Sequence, residues 1–113
     1  MVDDARRAAV LAGRTVVAHV RADAALIAWA KTLGRYTYCG RPGPWGNPYV
    51  MGRHGDRSTV IARHATWLAG QPQRLAKIGT LRGHVLGCWC YPQACHCDTL
   101  AALADGPQPD DGP

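Results

Sequence analysis

No apolar run in the 113 residues approaches the ~18 needed to cross a bilayer as a helix. The opening Met1-Val2-Asp3-Asp4-Ala5-Arg6-Arg7 also lacks the basic-then-apolar order of a secretory leader. A cytoplasmic protein with no membrane partner is the expectation. Internal repeats are missing too, which excludes a solenoid, and the length suits one domain with one core. Acidic residues are scarce, 8 Asp and Glu against 13 Lys and Arg, of which 11 are Arg. That imbalance favours an anionic partner such as phosphate, nucleotide or nucleic acid, because guanidinium matches phosphate with two parallel donors. The plain alternative is that the arginines only solubilise a small surface.

Cysteine is present in an odd number, 5. The steps Cys88 to Cys90 and Cys95 to Cys97 are too short for easy bridging within a strand or helical turn, so reduced thiols or metal ligands are favoured over disulfides.

Residues Asp3 to Ala12 are Ala-rich and suit a short helix or a frayed arm. Thr15 to Val20 is β-branched and reads as a buried strand. Asp23 is placed to cap a helix through Leu33, with Leu26, Ile27, Ala30 and Leu33 on one face and Gly34 as its stop. Tyr36 to Cys39 reads as a second strand. Gly40 to Pro48 holds three glycines and three prolines in nine residues, which excludes regular structure and implies a loop of specified path. Asp56 or Ser58 starts an amphipathic helix through Ala69, with Val60, Ile61, His64, Trp67 and Leu68 on its apolar face. Pro72 opens a short helix through Ile78. A third buried strand follows over Val85 to Cys90, and Pro92 suits the first turn of a last helix ending near Ala104. Asp105 to Pro113 reads as a disordered tail. The domain is thus expected over residues 15–104. Strands alternating with helices give an α/β layered fold with a short, mostly parallel sheet flanked by helices.

In such a sheet ligands collect beyond the carboxyl ends of the strands. The Gly40 to Pro48 loop and the Cys90 to Cys95 turn are expected to converge there, on a pocket walled by Arg41, Trp45, Asn47, Trp89, Cys90, Cys95 and His96. The last helix begins at the same place, so its free N–H groups favour anions and thiolates, and Cys95 is expected to be more thiolate-like than Cys88.

Three readings of the cysteines compete. Zinc wants about four tetrahedral ligands, and Cys88, Cys90, Cys95 and Cys97 supply the type. Cys-Trp-Cys is nevertheless a poor chelating step in a strand, although its two thiols share one face. A nucleophilic Cys90 or Cys95, activated by the helix terminus and His96, is the second reading. In the third, Cys88 and Cys95 pack as small core residues while His96 and Asp98 order the helix start.

Cys39-Gly40-Arg41-Pro42, Trp45-Gly46-Asn47-Pro48-Tyr49, Leu81-Arg82-Gly83, Leu86-Gly87-Cys88-Trp89-Cys90, Pro92 and Cys95-His96 with Asp98 and Leu100 together resemble the domain-of-unknown-function family 4326 of bacteria and phages. The strand ending in Cys followed by Cys-His is more distantly similar to the uncharacterised family numbered 488. The resemblance implies the fold and the site, and no settled activity. Arg41, Asn47, Cys90, Cys95, His96 and Asp98 match its pattern. Cys97 stands where the family commonly has Gly, and Cys39 where Ile or a similar residue is frequent, so a metal site depending on Cys97 would be particular to this chain.

The leading expectation is a nucleotide- or nucleic-acid-processing protein without a cofactor. Arg41 clamps the anion and Asn47 fixes the loop or the ligand. Trp45 or Trp89 stacks on the base, Cys90 or Cys95 is the nucleophile, and His96 with Asp98 serves acid–base chemistry. The alternative is a non-catalytic module that binds nucleic acid or a host protein through Arg53, Arg57 and Arg63, with or without a structural zinc.

Overall fold

A computed structural model describes residues 3–106. Five α-helices surround a three-stranded sheet: α1 (Asp4–Leu11), β1 (Val16–His19), α2 (Ala24–Thr32), β2 (Tyr36–Tyr38), α3 (Arg57–Ala69), α4 (Pro72–Lys77), a 3₁₀ turn (Ile78–Leu81), β3 (Val85–Cys88) and α5 (His96–Asp105). The strand order is β1-β3-β2 and both pairings are parallel. Val85 stands opposite both Val16 and Tyr36, and Gly87 opposite Ala18 and Tyr38. The expected α/β architecture is therefore present.

β3 lies in the centre and every one of its residues is buried, as its unbroken apolar run requires. Side chains alternate across the sheet. Ala18 and Val85 meet Val10 of α1 and Leu26, Ile27 and Ala30 of α2 on one face. Val17, Leu86 and Cys88 meet Leu68, Leu81, Leu100 and Ala104 on the other, where α3 and α5 pack.

Several boundaries differ from the sequence reading. β3 stops at Cys88, so Trp89 and Cys90 belong to a turn and not to a strand. Pro92 does not open α5. It sits in a turn in which Gln93 N–H donates to the Cys90 carbonyl, and α5 starts only after Cys95, whose extended backbone (φ −153°, ψ 174°) forms the N-cap. Leu33 is 43% exposed at the C-cap of α2 and is not part of its buried face. Gly34 does end that helix, at φ +68° in the left-handed region. Asp105, expected in the tail, closes α5 and accepts from the Thr15 hydroxyl at 2.7 Å. The rest of that expected tail, residues 107–113, lies outside the described residues.

Asp23 makes no side-chain cap to α2, because a stronger partner takes its carboxylate. Arg6 of α1 donates to both of its oxygens, at 2.9 and 3.1 Å, and also to Asp3 at 2.7 Å, while His19 N–H donates to Asp23 at 2.8 Å. This half-buried fork ties α1 to β1 and α2, and it holds the Asp23 carboxyl below its usual range. Arg6→Ala is accordingly expected to lower stability by about 2 kcal/mol. A double-mutant cycle with Asp23→Asn, followed by urea unfolding, should return a coupling well above the 0–1 kcal/mol of an exposed pair.

Candidate functional site

The loop from Gly40 to Pro48 leaves the end of β2 and folds back tightly. A Cβ on Gly46 would lie 3.0 Å from the Gly40 carbonyl and 3.1 Å from Arg41 Cα, both backbone atoms, so only glycine fits without displacing the turn. The loop's polar residues hold the loop itself. Asn47 Nδ2 donates to the Val60 carbonyl (3.1 Å), and Tyr49 N–H donates to Asn47 Oδ1 (2.9 Å). Arg41 Nη1 donates to the Asn47 and Tyr49 carbonyls at 2.9 and 3.4 Å. From the opposite side, His96 Nε2 lies 2.7 Å from the Cys39 carbonyl. Loop and helix start therefore adjoin on the same side of the sheet.

Between them opens a cleft of about 160 Å³ bordered by Gly40, Arg41, Asn47, Tyr49, Met51, Arg57, Val60, Cys88, Trp89, Cys90, Cys95 and His96. Six of the expected wall residues, Arg41, Asn47, Trp89, Cys90, Cys95 and His96, come together here. Two of the named site residues do not. Trp45 packs on the core and borders a separate depression with Gln73, Arg74, Lys77 and Thr80, because the turn at Gly46 carries it away from the cleft. Asp98 faces the helix cap, where its Oδ2 accepts from Cys95 N–H at 3.1 Å in a capping box. Arg57, read from sequence only as part of a basic surface, borders the cleft, and its Nη1 donates to the Ala94 carbonyl at 3.0 Å. Arg63 stacks over Tyr49 with its guanidinium carbon 5.2 Å from the ring centre. No residue bordering the cleft is acidic.

The carboxyl ends of the three strands also carry an aromatic cluster. Trp89, 55% exposed, donates from Nε1 to the Tyr38 hydroxyl (3.0 Å), meets His19 edge-on at 5.9 Å, and lies under the Arg21 guanidinium at 5.6 Å.

The cysteines divide into two groups. Cys88, Cys95 and Cys97 are buried with their sulfurs within 4.8 Å of one another, a group able to hold a metal ion. Cys95 Sγ donates to Cys88 Sγ at 3.5 Å, and Cys97 N–H donates to Cys95 Sγ at 3.3 Å. Cys39, also fully buried, lies outside that group, and its thiol donates to the Thr37 carbonyl at 3.7 Å. Cys90 stands apart from this group, in the turn and only half-buried, so the quartet Cys88, Cys90, Cys95 and Cys97 read from sequence is not assembled. Cys39 was missed as a neighbour of this group. Its signal was its place after a strand parallel to the one carrying Cys88, since the register that sets Tyr38 beside Gly87 brings the two cysteines to adjacent strand ends.

The charge preference inside the group is the reverse of the helix-dipole expectation. Cys88 is driven well down by thiol donors from Cys95 and Cys97 and by the backbone N–H groups of Cys90 and Tyr91. Cys95 is pushed up to about 12, because it donates to Cys88 and is buried. With four thiols 0 to 3% exposed and Cys90 half-buried, iodoacetamide is expected to label Cys90 well before the others, as mass spectrometry of a short time course would read.

His64 of α3 was read as one of the apolar-face residues, and it is 1% exposed with Nδ1 lacking a hydrogen-bond partner. Its ring lies 5.0 Å from that of His96. Burial, then repulsion from His96, lowers its pKa to about 4, and burial lowers His96 as well. Both are neutral when folded and bind protons more readily unfolded. Their contribution to stability is therefore complete above pH ~6.5 and is lost as the pH falls towards 4. Urea midpoints between pH 7 and 4 should drop by an amount worth roughly 2–3 kcal/mol, and His64→Leu should flatten that slope.

A family model described as a domain of unknown function (DUF4326) matches residues 27–106. No curated protein and no solved structure matches the chain.

Proposed function

The chain belongs to that DUF4326 family, and we propose that it binds and processes an anionic nucleotide or a nucleic-acid end in the cleft above β3, in the cytoplasm. One observation carries the reading. Arg41, Arg57, the half-buried thiol of Cys90 and the exposed ring of Trp89 border one small cleft that has no acidic side chain.

At about 160 Å³ the cleft is smaller than the roughly 300–1,000 Å³ of sites that engulf a whole ligand. It suits a phosphate or sugar-phosphate group, with the base outside on Trp89, where stacking tolerates any base. Arg57 reaches the anion from α3 and Arg41 from the loop. Cys90 is the thiol nearest solvent and serves as nucleophile. His96, whose Nε2 faces the Cys39 carbonyl, holds the loop against the helix start and acts as a positioning residue. Five unpaired cysteines fit a reducing compartment.

A non-catalytic binding module remains the second reading, supported by the positions of Arg57 and Arg63 along one helix beside the cleft. Thermal-shift measurements with nucleoside mono- and diphosphates and short single-stranded oligonucleotides test the proposal. Ligand at a hundredfold excess over Kd should raise Tm on the order of 10 °C. Arg57→Ala should weaken binding roughly tenfold or more with unliganded Tm little changed. Cys90→Ser should retain binding and abolish turnover. Turnover unaffected by that change, with binding that falls steeply as salt rises, would favour the module. No shift with any of these ligands would overturn the nucleotide reading.

A further inference from the structure

The buried thiols form a more complete constellation than the cleft chemistry uses. Cys39 follows β2, Cys88 ends β3, and Cys95 and Cys97 lie at the N-cap and in the first turn of α5. Three separate elements thus bring four cysteines to one region of the core, each residue between 0 and 3% exposed. Tetrahedral thiolates at a Zn–S distance of about 2.3 Å stand about 3.8 Å apart. The Cys88–Cys95 separation is 3.5 Å, and all three separations among Cys88, Cys95 and Cys97 fall within 4.8 Å. Small side-chain shifts therefore bring these three to ligand spacing, and Cys39, at the strand end beside Cys88 with its thiol on the Thr37 carbonyl at 3.7 Å, supplies the fourth donor by a rotation of its side chain.

The backbone is arranged for sulfur carrying negative charge. Cys97 N–H donates to Cys95 Sγ at 3.3 Å. Such second-layer donors orient metal-bound thiolates and draw off their charge. We propose that Cys39, Cys88, Cys95 and Cys97 form a four-thiolate site for a tetrahedral soft cation, zinc, which locks the ends of β2 and β3 to α5. Four Zn–S bonds form as the thiols give up their protons to solvent, and no redox change is involved. Cys90, outside this set, keeps a free thiol in the cleft. The inference does not depend on what the cleft binds.

Elemental analysis of the full chain, grown with zinc and dialysed, should give about one zinc per chain. Metal-free protein titrated with Co²⁺ under reducing conditions should develop the strong visible bands of a tetrahedral site, with sulfur-to-cobalt charge transfer of an intensity that counts four thiolates. In competition with a chromogenic chelator, Cys90→Ser should match the parent, while Cys39→Ser and Cys97→Ser should lose roughly tenfold or more in affinity. The cobalt spectrum of the unaltered chain needs no substitution, so a variant that fails to fold leaves the test intact. A parent that binds neither zinc nor cobalt would overturn the proposal, as would a Cys88–Cys95 disulfide in freshly purified protein in place of metal. Equal losses from Cys90→Ser and Cys39→Ser would overturn this ligand set.

Discussion

The central position of β3 is the constraint on which the rest of the molecule depends. A strand flanked on both edges by parallel partners and covered on both faces leaves no side chain in water, and Val85, Leu86, Gly87 and Cys88 meet that demand. Gly87 is part of the solution, since a Cβ there would meet the Tyr36 ring and hydroxyl. Because β1, β2 and β3 run the same way, their carboxyl ends emerge together. His19, Tyr38 and Trp89 become neighbours at that edge, and Cys39 and Cys88 lie just beneath it. Aromatic cluster, cleft and thiol group are thus three consequences of one topological choice.

The edge is rigid because its loops are tied by side chains to backbone carbonyls. Asn47 reaches Val60, Arg57 reaches Ala94, and His96 reaches Cys39, so each bond joins two different segments. Buried polar groups that satisfy backbone in this way fix geometry more than they add net free energy. Asn47 illustrates the difference between lining a site and serving it. It borders the cleft, yet both polar atoms of its amide are engaged within the protein.

The sequence made the architecture readable wherever a single local rule dominated. A β-branched run marked β1, an unbroken apolar run marked β3, and Asp56 marked the start of α3 through its bond to Thr59 N–H. Reading failed where two local signals competed. Asp23 carried a helix-cap signal, but a guanidinium from α1 captured its carboxylate. Pro92 carried a first-turn signal, but the capping box of Cys95 and Asp98 placed the helix start four residues later, at His96. Side-chain destinations were harder still. Nothing local in Trp45 or Cys39 tells which way a nine-residue loop turns: Cys39 ends inside the core, while Trp45 packs on its edge and borders a separate depression. Only the parallel register joins Cys39 to the other thiols, and register is a property of the whole sheet.

The proposed thiolate cluster beneath the proposed anion cleft would set an electrostatic conflict, and the fold separates its two sides by depth. Four thiolates about one divalent cation carry a net charge of about −2, and Cys88 and Cys95 both border the cleft from below. The Cys97 N–H on Cys95 Sγ softens that charge at its source. At the rim Arg41 and Arg57 are more exposed than the sulfurs and closer to an incoming ligand. Because Coulomb energy falls with distance and is screened by the intervening medium, a guanidinium in contact with a phosphate outweighs a sulfur charge several ångströms deeper. On the proposed reading, anion selection belongs to the rim and structural anchoring to the floor. Cys90, half-buried between the two layers, is the one thiol of the five that is both near the arginines and outside the buried group.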